Sequence, residues 1–198
     1  MFLITACALI ALLLRPEKLD RGYFPIDVGF RWVYEAVQGG QGEVVFEVTG
    51  KQQIGDTDCF VVLRTIGSHE LKFYVEVTLR GVFIHQVGED RYVPAYKQFA
   101  FASQQSDQWE WKGQVGGEPA AYECHNNGLM TCEVPLGSWE SYRVHQRIPT
   151  TGADTYFSLA DEVGVIKIYS KNRDEHDPPA PEGQSETFEW QLKEFTRS

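Results

Sequence analysis

After residue 21 the sequence has no segment of helical period, since nowhere do apolar residues recur at every third or fourth position for more than about one turn. That leaves strands to build the fold. Also missing are His-Glu-x-x-His, Gly-x-Ser-x-Gly and any phosphate-cradling glycine loop, the arrangements on which zinc peptidases, α/β hydrolases and P-loop enzymes depend. Positive charge is scarce: 18 Lys and Arg stand against 28 Asp and Glu, a net charge of −10. Nucleic-acid affinity rests on neutralising phosphates, so no nucleic-acid partner is expected, and the acidic surplus serves solubility. No internal repeat is present.

Long apolar runs are missing too, with one exception at the start. Phe2 to Leu14 is continuously apolar or small. As a helix it would rise roughly 20 Å, short of the ~30 Å hydrocarbon core. Residues 1–21 therefore read as a leader, either the apolar region of a signal peptide or a retained membrane anchor, and membrane contact is expected only through residues 2–14. No Lys or Arg precedes the run, and Arg15, Pro16, Glu17 and Lys18 follow it where a small-residue cleavage site would stand. Ile4-Thr5-Ala6-Cys7 has the look of a lipid-acylation box, but the apolar run comes after Cys7 instead of before it, which favours a Cys buried in the leader. A first helix of a cytosolic fold would show one polar face, and this run shows none.

From residue 22 to 198 the dominant signal is period two. Leu71, Phe73, Val75, Val77 and Leu79 alternate with Glu70, Lys72, Tyr74, Glu76, Thr78 and Arg80, the pattern of a strand with one dry and one wet face. The same grammar marks strands at 44–48, 82–87, 109–115, 142–146, 154–159, 165–169 and 187–195. Cys59 to Leu63 reads as a strand buried on both faces. Turn residues recur about every ten positions, as in a meander or barrel. Residues 171–185 are charged and proline-rich and are expected to form an exposed loop. With no helix to cover its apolar face, the sheet must curl on itself. The expected fold is all-β, a single domain built as a strongly curved antiparallel sheet or open barrel, with a β-sandwich as the alternative.

Three constellations invite chemistry. Cys124 and Cys132 flank Asn127-Gly128, a strong hairpin signal. A loop at 127–129 would set the two cysteines opposite each other, within disulfide reach. Two free thiols are the plainer alternative, and a metal site with His125 is disfavoured by the long spacing. Cys59 lies in an apolar strand and reads as an inert core thiol. Second, Asp107, Glu110, Glu118 and Glu123 stand near Trp109 and Trp111, which evokes sugar cleavage by a carboxylate pair, although charges on strands usually form a solvated face. Third, His145 beside Arg143 and Arg147 could make a small anion spot. No catalytic residue, cofactor or metal site is assigned on these grounds.

Tyr23-Phe-Pro-Ile-Asp-Val-Gly-Phe-Arg-Trp-Val-Tyr34 resembles the opening of a group of bacterial exported, lipoprotein-like β-domain proteins, which begin Tyr-Phe-Pro-Leu and continue with Gly, Trp and Tyr. Val134-Pro-Leu-Gly-Ser-Trp-Glu-Ser-Tyr-Arg-Val144 and Thr155-Tyr-Phe-Ser-Leu-Ala-Asp-Glu-Val-Gly-Val-Ile-Lys167 are also similar to that group, the latter to its closing Gly-Val-Gly-x-Val-Lys run. The chain departs from the pattern at Ile26, where the group has Leu, and at Glu162, where Gly is usual. The resemblance implies export and an outline like that of envelope carriers of lipids and lipoproteins. It assigns no activity. Pro25 fixes an extended approach to the first strand, Gly29 supplies a special backbone angle, and Trp32 and Tyr34 share one face as core anchors.

The function expected from all this is an exported, envelope-associated binding or interaction module, non-enzymatic, with a lipid or other apolar molecule as its ligand. The alternative is a hydrolase acting on an envelope polysaccharide.

Overall fold

Alternating side chains create a sheet with one dry face, and closure is the way a long meander covers that face without helices. The computed structural model describes residues 19–38, 42–101, 107–171 and 187–197. The leader run at 2–14, and all of the proline-rich loop except Lys171, lie outside the described residues. Twelve strands follow in order: β1 (Arg31–Gln38), β2 (Glu43–Ile54), β3 (Thr57–Ile66), β4 (His69–Thr78), β5 (Gly81–Val87), β6 (Asp90–Ala100), β7 (Gln108–Val115), β8 (Glu118–Val134), β9 (Gly137–Ile148), β10 (Ala153–Ala160), β11 (Gly164–Lys171) and β12 (Thr187–Thr196). Each pairs antiparallel with its neighbours in sequence, and β12 pairs back onto β1 from Arg31↔Thr196 to Gln38↔Glu189. The curled antiparallel sheet expected from period two is therefore present, and its curl runs to closure into a barrel.

The dry face points inward. Val44, Val48, Val62, Val75, Ile84, Val144 and Leu192 belong to one buried core. Ion pairs lie on the outer face, as in the exposed pairs Lys112–Glu110 (3.0 Å) and Lys193–Glu43 (2.6 Å). This polarity is the reverse of a membrane-spanning barrel, whose apolar band faces lipid. A small satellite cluster on the outer wall, Cys59, Val61 and Tyr74 with Ile54 against it, explains why β3 reads as buried on both faces.

A barrel of about eight strands has an interior that side chains just fill, whereas one of roughly sixteen encloses an aqueous channel. Twelve strands leave an intermediate lumen that needs filling. The segment before β1 fills one end of it. Leu19 is fully buried, Tyr23 meets Tyr142 edge-on at 5.8 Å and Phe24 packs on Phe99 at 5.6 Å. Asp20 caps a single 3-10 turn, Arg21–Tyr23, by accepting the Gly22 N–H at 2.8 Å. Gly29, at φ 92°, turns the chain so that its N–H reaches Val48 O (2.8 Å) while Val48 N–H reaches Phe30 O (2.9 Å). The folded unit thus takes in Leu19 and Asp20. In β1, Trp32 Nε1 donates to Val163 O and Tyr34 Oη to Val165 O, both at 2.6 Å, reaching past β12 to β11 and the turn that precedes it. These bonds satisfy two polar tips that burial would otherwise leave unpaired.

One seam is closed differently. β6 and β7 share two residue pairs, Tyr92↔Val115 and Val93↔Gln114. Pro94 follows and has no N–H to continue a ladder. Indoles replace it: Trp111 Nε1 donates to Pro94 O at 3.0 Å and Trp109 Nε1 to Lys97 O at 2.9 Å. A Cβ on Gly113 would stand 2.5 Å from Val93 O and 2.6 Å from the Trp111 ring, so only glycine lets the indole lie flat across the gap.

Candidate functional site: the barrel cavity

Between the plug and the opposite end of the barrel lies a cavity of about 310 Å³. Its floor is Phe24, Pro25 and Ile26 of the segment before β1, and its walls are mainly aromatic and aliphatic. Trp32 and Tyr34, the core anchors read from the sequence, line it from β1, and Phe46 and Phe73 line it from β2 and β4. On the β6–β8 side, Tyr92, Tyr96, Trp111 and Tyr122 form a ring cluster with centroid distances from 4.5 Å (Tyr96–Tyr122) to 6.0 Å (Tyr92–Tyr96). Three of these tyrosines face the cavity. The cluster supplies across the thin seam the cohesion that a hydrogen-bond ladder supplies elsewhere, at about 0.5–1.5 kcal/mol per well-placed ring pair beyond area burial.

Polar groups in the lining are few: Arg64, Gln98, Gln146, Thr155 and the tyrosine hydroxyls. Tyr34 Oη is committed to Val165 O, and Thr155 Oγ1 shares a 3.0 Å bond with Ser170 Oγ. Burial raises the Tyr34 and Tyr96 hydroxyls well above the ordinary tyrosine range, so both stay protonated. Arg64 is the one charged lining residue among the described residues. Its parity with Val62 and Ile66 on β3 points it inward. That parity is already present in the sequence. An apolar chamber with a few convergent polar groups is the usual form of a small-molecule site, and 310 Å³ sits at the small end of the about 300–1,000 Å³ such sites occupy.

The cysteine hairpin is not there. Cys124 and Cys132 lie on one continuous strand, β8, and both are free and buried. Asn127-Gly128 makes a β-bulge in place of a turn: pairing with β9 steps from Asn126↔Val144 to Leu129↔Tyr142, so two residues of β8 oppose one of β9. Gly128 takes φ 82°, the left-handed angle that a bulge and a hairpin turn both use. Eight residues of strand separate the two cysteines by roughly 26 Å, far beyond the ~7 Å limit for a disulfide. Cys124 Sγ instead meets Tyr96 Oη at 3.4 Å, and burial pushes its thiol up to about 11.

The tryptophan–carboxylate constellation also disperses. Trp109 and Trp111 spend their indole N–H groups on β6 carbonyls. Glu110 is exposed, faces Glu123 across the β7–β8 ladder and is held by Lys112. His145, on the outer wall, pairs with Asp154 at 2.7 Å and stacks on Tyr156 at 4.5 Å. Arg143 lies over the same Tyr156 ring at 4.4 Å. The basic spot is thus opposed by a carboxylate. Among the described residues no group of three or more His, Cys, Asp or Glu side chains is placed to hold a metal.

No family model matches the chain, and no curated protein matches it. Two solved structures are similar in fold. One is a candidate exported protein with a YmcC-like fold from Bacteroides fragilis, with TM-score 0.50 and 10% identity, covering 88% of this chain and 98% of that one. The other is a candidate lipoprotein from Parabacteroides distasonis, with TM-score 0.44 and 12% identity at the same coverages, 88% and 98%. At such identities the likeness is one of chain path alone.

Proposed function

We propose that the chain is an exported binding module that holds an apolar small molecule inside its barrel. The observation that carries this reading is the 310 Å³ chamber, walled by aromatic rings and floored by Phe24, Pro25 and Ile26. A barrel built only as a scaffold would gain more by filling that space, since each unfilled void forfeits dispersion contacts. Export is supported by the apolar run Phe2 to Leu14 and agrees with the description of the similar Bacteroides fragilis structure as a candidate exported protein. Among the described residues the lining is apolar with a few polar groups, a surface suited to retaining a ligand.

Native mass spectrometry of the full chain, purified from the envelope fraction, tests the reading. The expected result is a protein peak carrying one apolar adduct that denaturation releases. Bare protein alone, both as purified and after incubation with excess long-chain alcohol, would contradict it.

A further inference from the structure

Arg64 sits where a charge is costly. It lines the apolar cavity from β3, half-buried, with its guanidinium carbon 5.6 Å from the centre of the Phe73 ring. Among the described residues that ring contact is its sole specific partner: no carboxylate lies within ion-pair distance and no carbonyl accepts from it. A guanidinium presents five N–H donors in a rigid fork and stays charged in proteins. Burial opposes its charged form, and among the described residues no anion offsets this. A half-desolvated fork that meets no acceptor among the described residues is a demand for an anion, and the fork geometry suits a carboxylate or a phosphate.

Its place along the barrel gives the demand a direction. Arg64 is two residues from Ile66, at the end where the β3–β4, β5–β6 and β7–β8 turns gather. Gln146 and Thr155, also in the lining, stand near that same end of β9 and β10. Phe24, Pro25 and Ile26 close the opposite end with apolar surface. The lining therefore runs from greasy floor to cationic rim.

We propose that the ligand is a single-chain amphiphile with an anionic head, its tail on the Phe24–Ile26 floor and its head on the fork of Arg64. This rests on the apolar-ligand reading above and adds the head group. One chain, not two, follows from the modest volume of the chamber. A free fatty carboxylate and a monoacyl phosphate share the required chemistry.

The test titrates the full chain with dodecanoate, dodecyl phosphate and dodecanol by calorimetry, and repeats the set with Arg64→Met and Arg64→Lys. The expected result is that at least one anion binds roughly tenfold or more tighter than dodecanol, as a charge-assisted bond supplies. Whichever anion leads identifies the source of the head group. Arg64→Met should erase the preference, and Arg64→Lys should keep part of it. If Arg64→Met does not fold, the unsubstituted protein decides: its anion preference should shrink as salt is raised. Equal binding of all three probes, or a preference that survives in Arg64→Met, overturns the head-group assignment and leaves the cavity reading intact. Binding of none of the three overturns the cavity reading itself.

Discussion

The indole N–H of Trp111 on β7 donates to the carbonyl of Pro94 on β6 at 3.0 Å, where those two strands share no backbone ladder. A side chain thus does at this seam what main chain does at every other. Trp111→Phe keeps most of the ring contacts with Tyr92, Tyr96 and Tyr122 but removes the donor. The expected cost is about 0.5–1.5 kcal/mol, the net worth of an ordinary hydrogen bond, because Pro94 is itself exposed and water can reach its carbonyl. Urea unfolding checks it. A loss much smaller than this would mean water replaces the indole in full.

The same seam should open first. With two ladder pairs joining β6 and β7, the amides of 108–113 that face β6 have no backbone acceptor. Native-state hydrogen exchange should find them exchanging well ahead of the β2–β3 and β8–β9 amides, whose ladders run through ten pairs each. Uniform protection around the barrel would contradict the weak-seam account.

How much of this was readable beforehand differs strand by strand. β4 was plain, because Leu71 to Val77 alternate without interruption and one face is wet. β6 was not, because Pro94 breaks the strand signal and the indoles that rescue it bond to carbonyls 12 and 17 residues away. At Asn127-Gly128 the sequence signals a hairpin turn, and Gly128 does take the left-handed angle such a turn uses, but the same angle serves a bulge. Only the partner strand decides between the two. For Arg64 the parity with Val62 and Ile66 was visible, whereas the missing anion partner is a three-dimensional fact.

Glu162 occupies the position where the group that the sequence resembles usually has glycine, and it takes φ 61°. A left-handed angle costs an L-residue about 1–2 kcal/mol, more than the roughly 0.5–1 kcal/mol that glycine adds in unfolded-chain entropy. Its bonds here are made by backbone, N–H to Gly22 O and carbonyl from Arg197, so the carboxylate is dispensable. Glu162→Gly should raise the melting temperature slightly, and Glu162→Val should lower it. The reverse order would show that the Glu162 side chain contributes something the strain argument omits.

Thiol state is a sharp check on the bulge. A chain lacking residues 1–18 should titrate three free thiols when denatured without reductant, from Cys59, Cys124 and Cys132. A single free thiol would restore the disulfide. In the folded protein, Cys59 and Cys124, both pushed up to about 11 by burial, should react slowly at neutral pH.

Those thiols, with Tyr34 and Tyr96, also set an alkaline limit. Each keeps its proton in the folded chain after the unfolded chain has lost it. The stabilisation is complete below the ordinary thiol value near 9 and drains away as pH rises from there through about 11. Melting temperatures should be flat across neutral pH and fall above about 9. A fall that begins on the acid side of neutrality would have another source.

If the chamber inside the barrel is a binding site, filling it must abolish binding. Val165 lines it, and its carbonyl, which Tyr34 uses, is unaffected by a change of side chain. Val165→Trp should fill the space while the fold, followed by circular dichroism and melting, persists. Titration with N-phenylnaphthylamine, fluorescent in apolar surroundings, is the direct measurement. The account predicts saturable, one-to-one binding to the unsubstituted protein and its loss in folded Val165→Trp. Undiminished binding in that variant would place the site outside the barrel and contradict the claim.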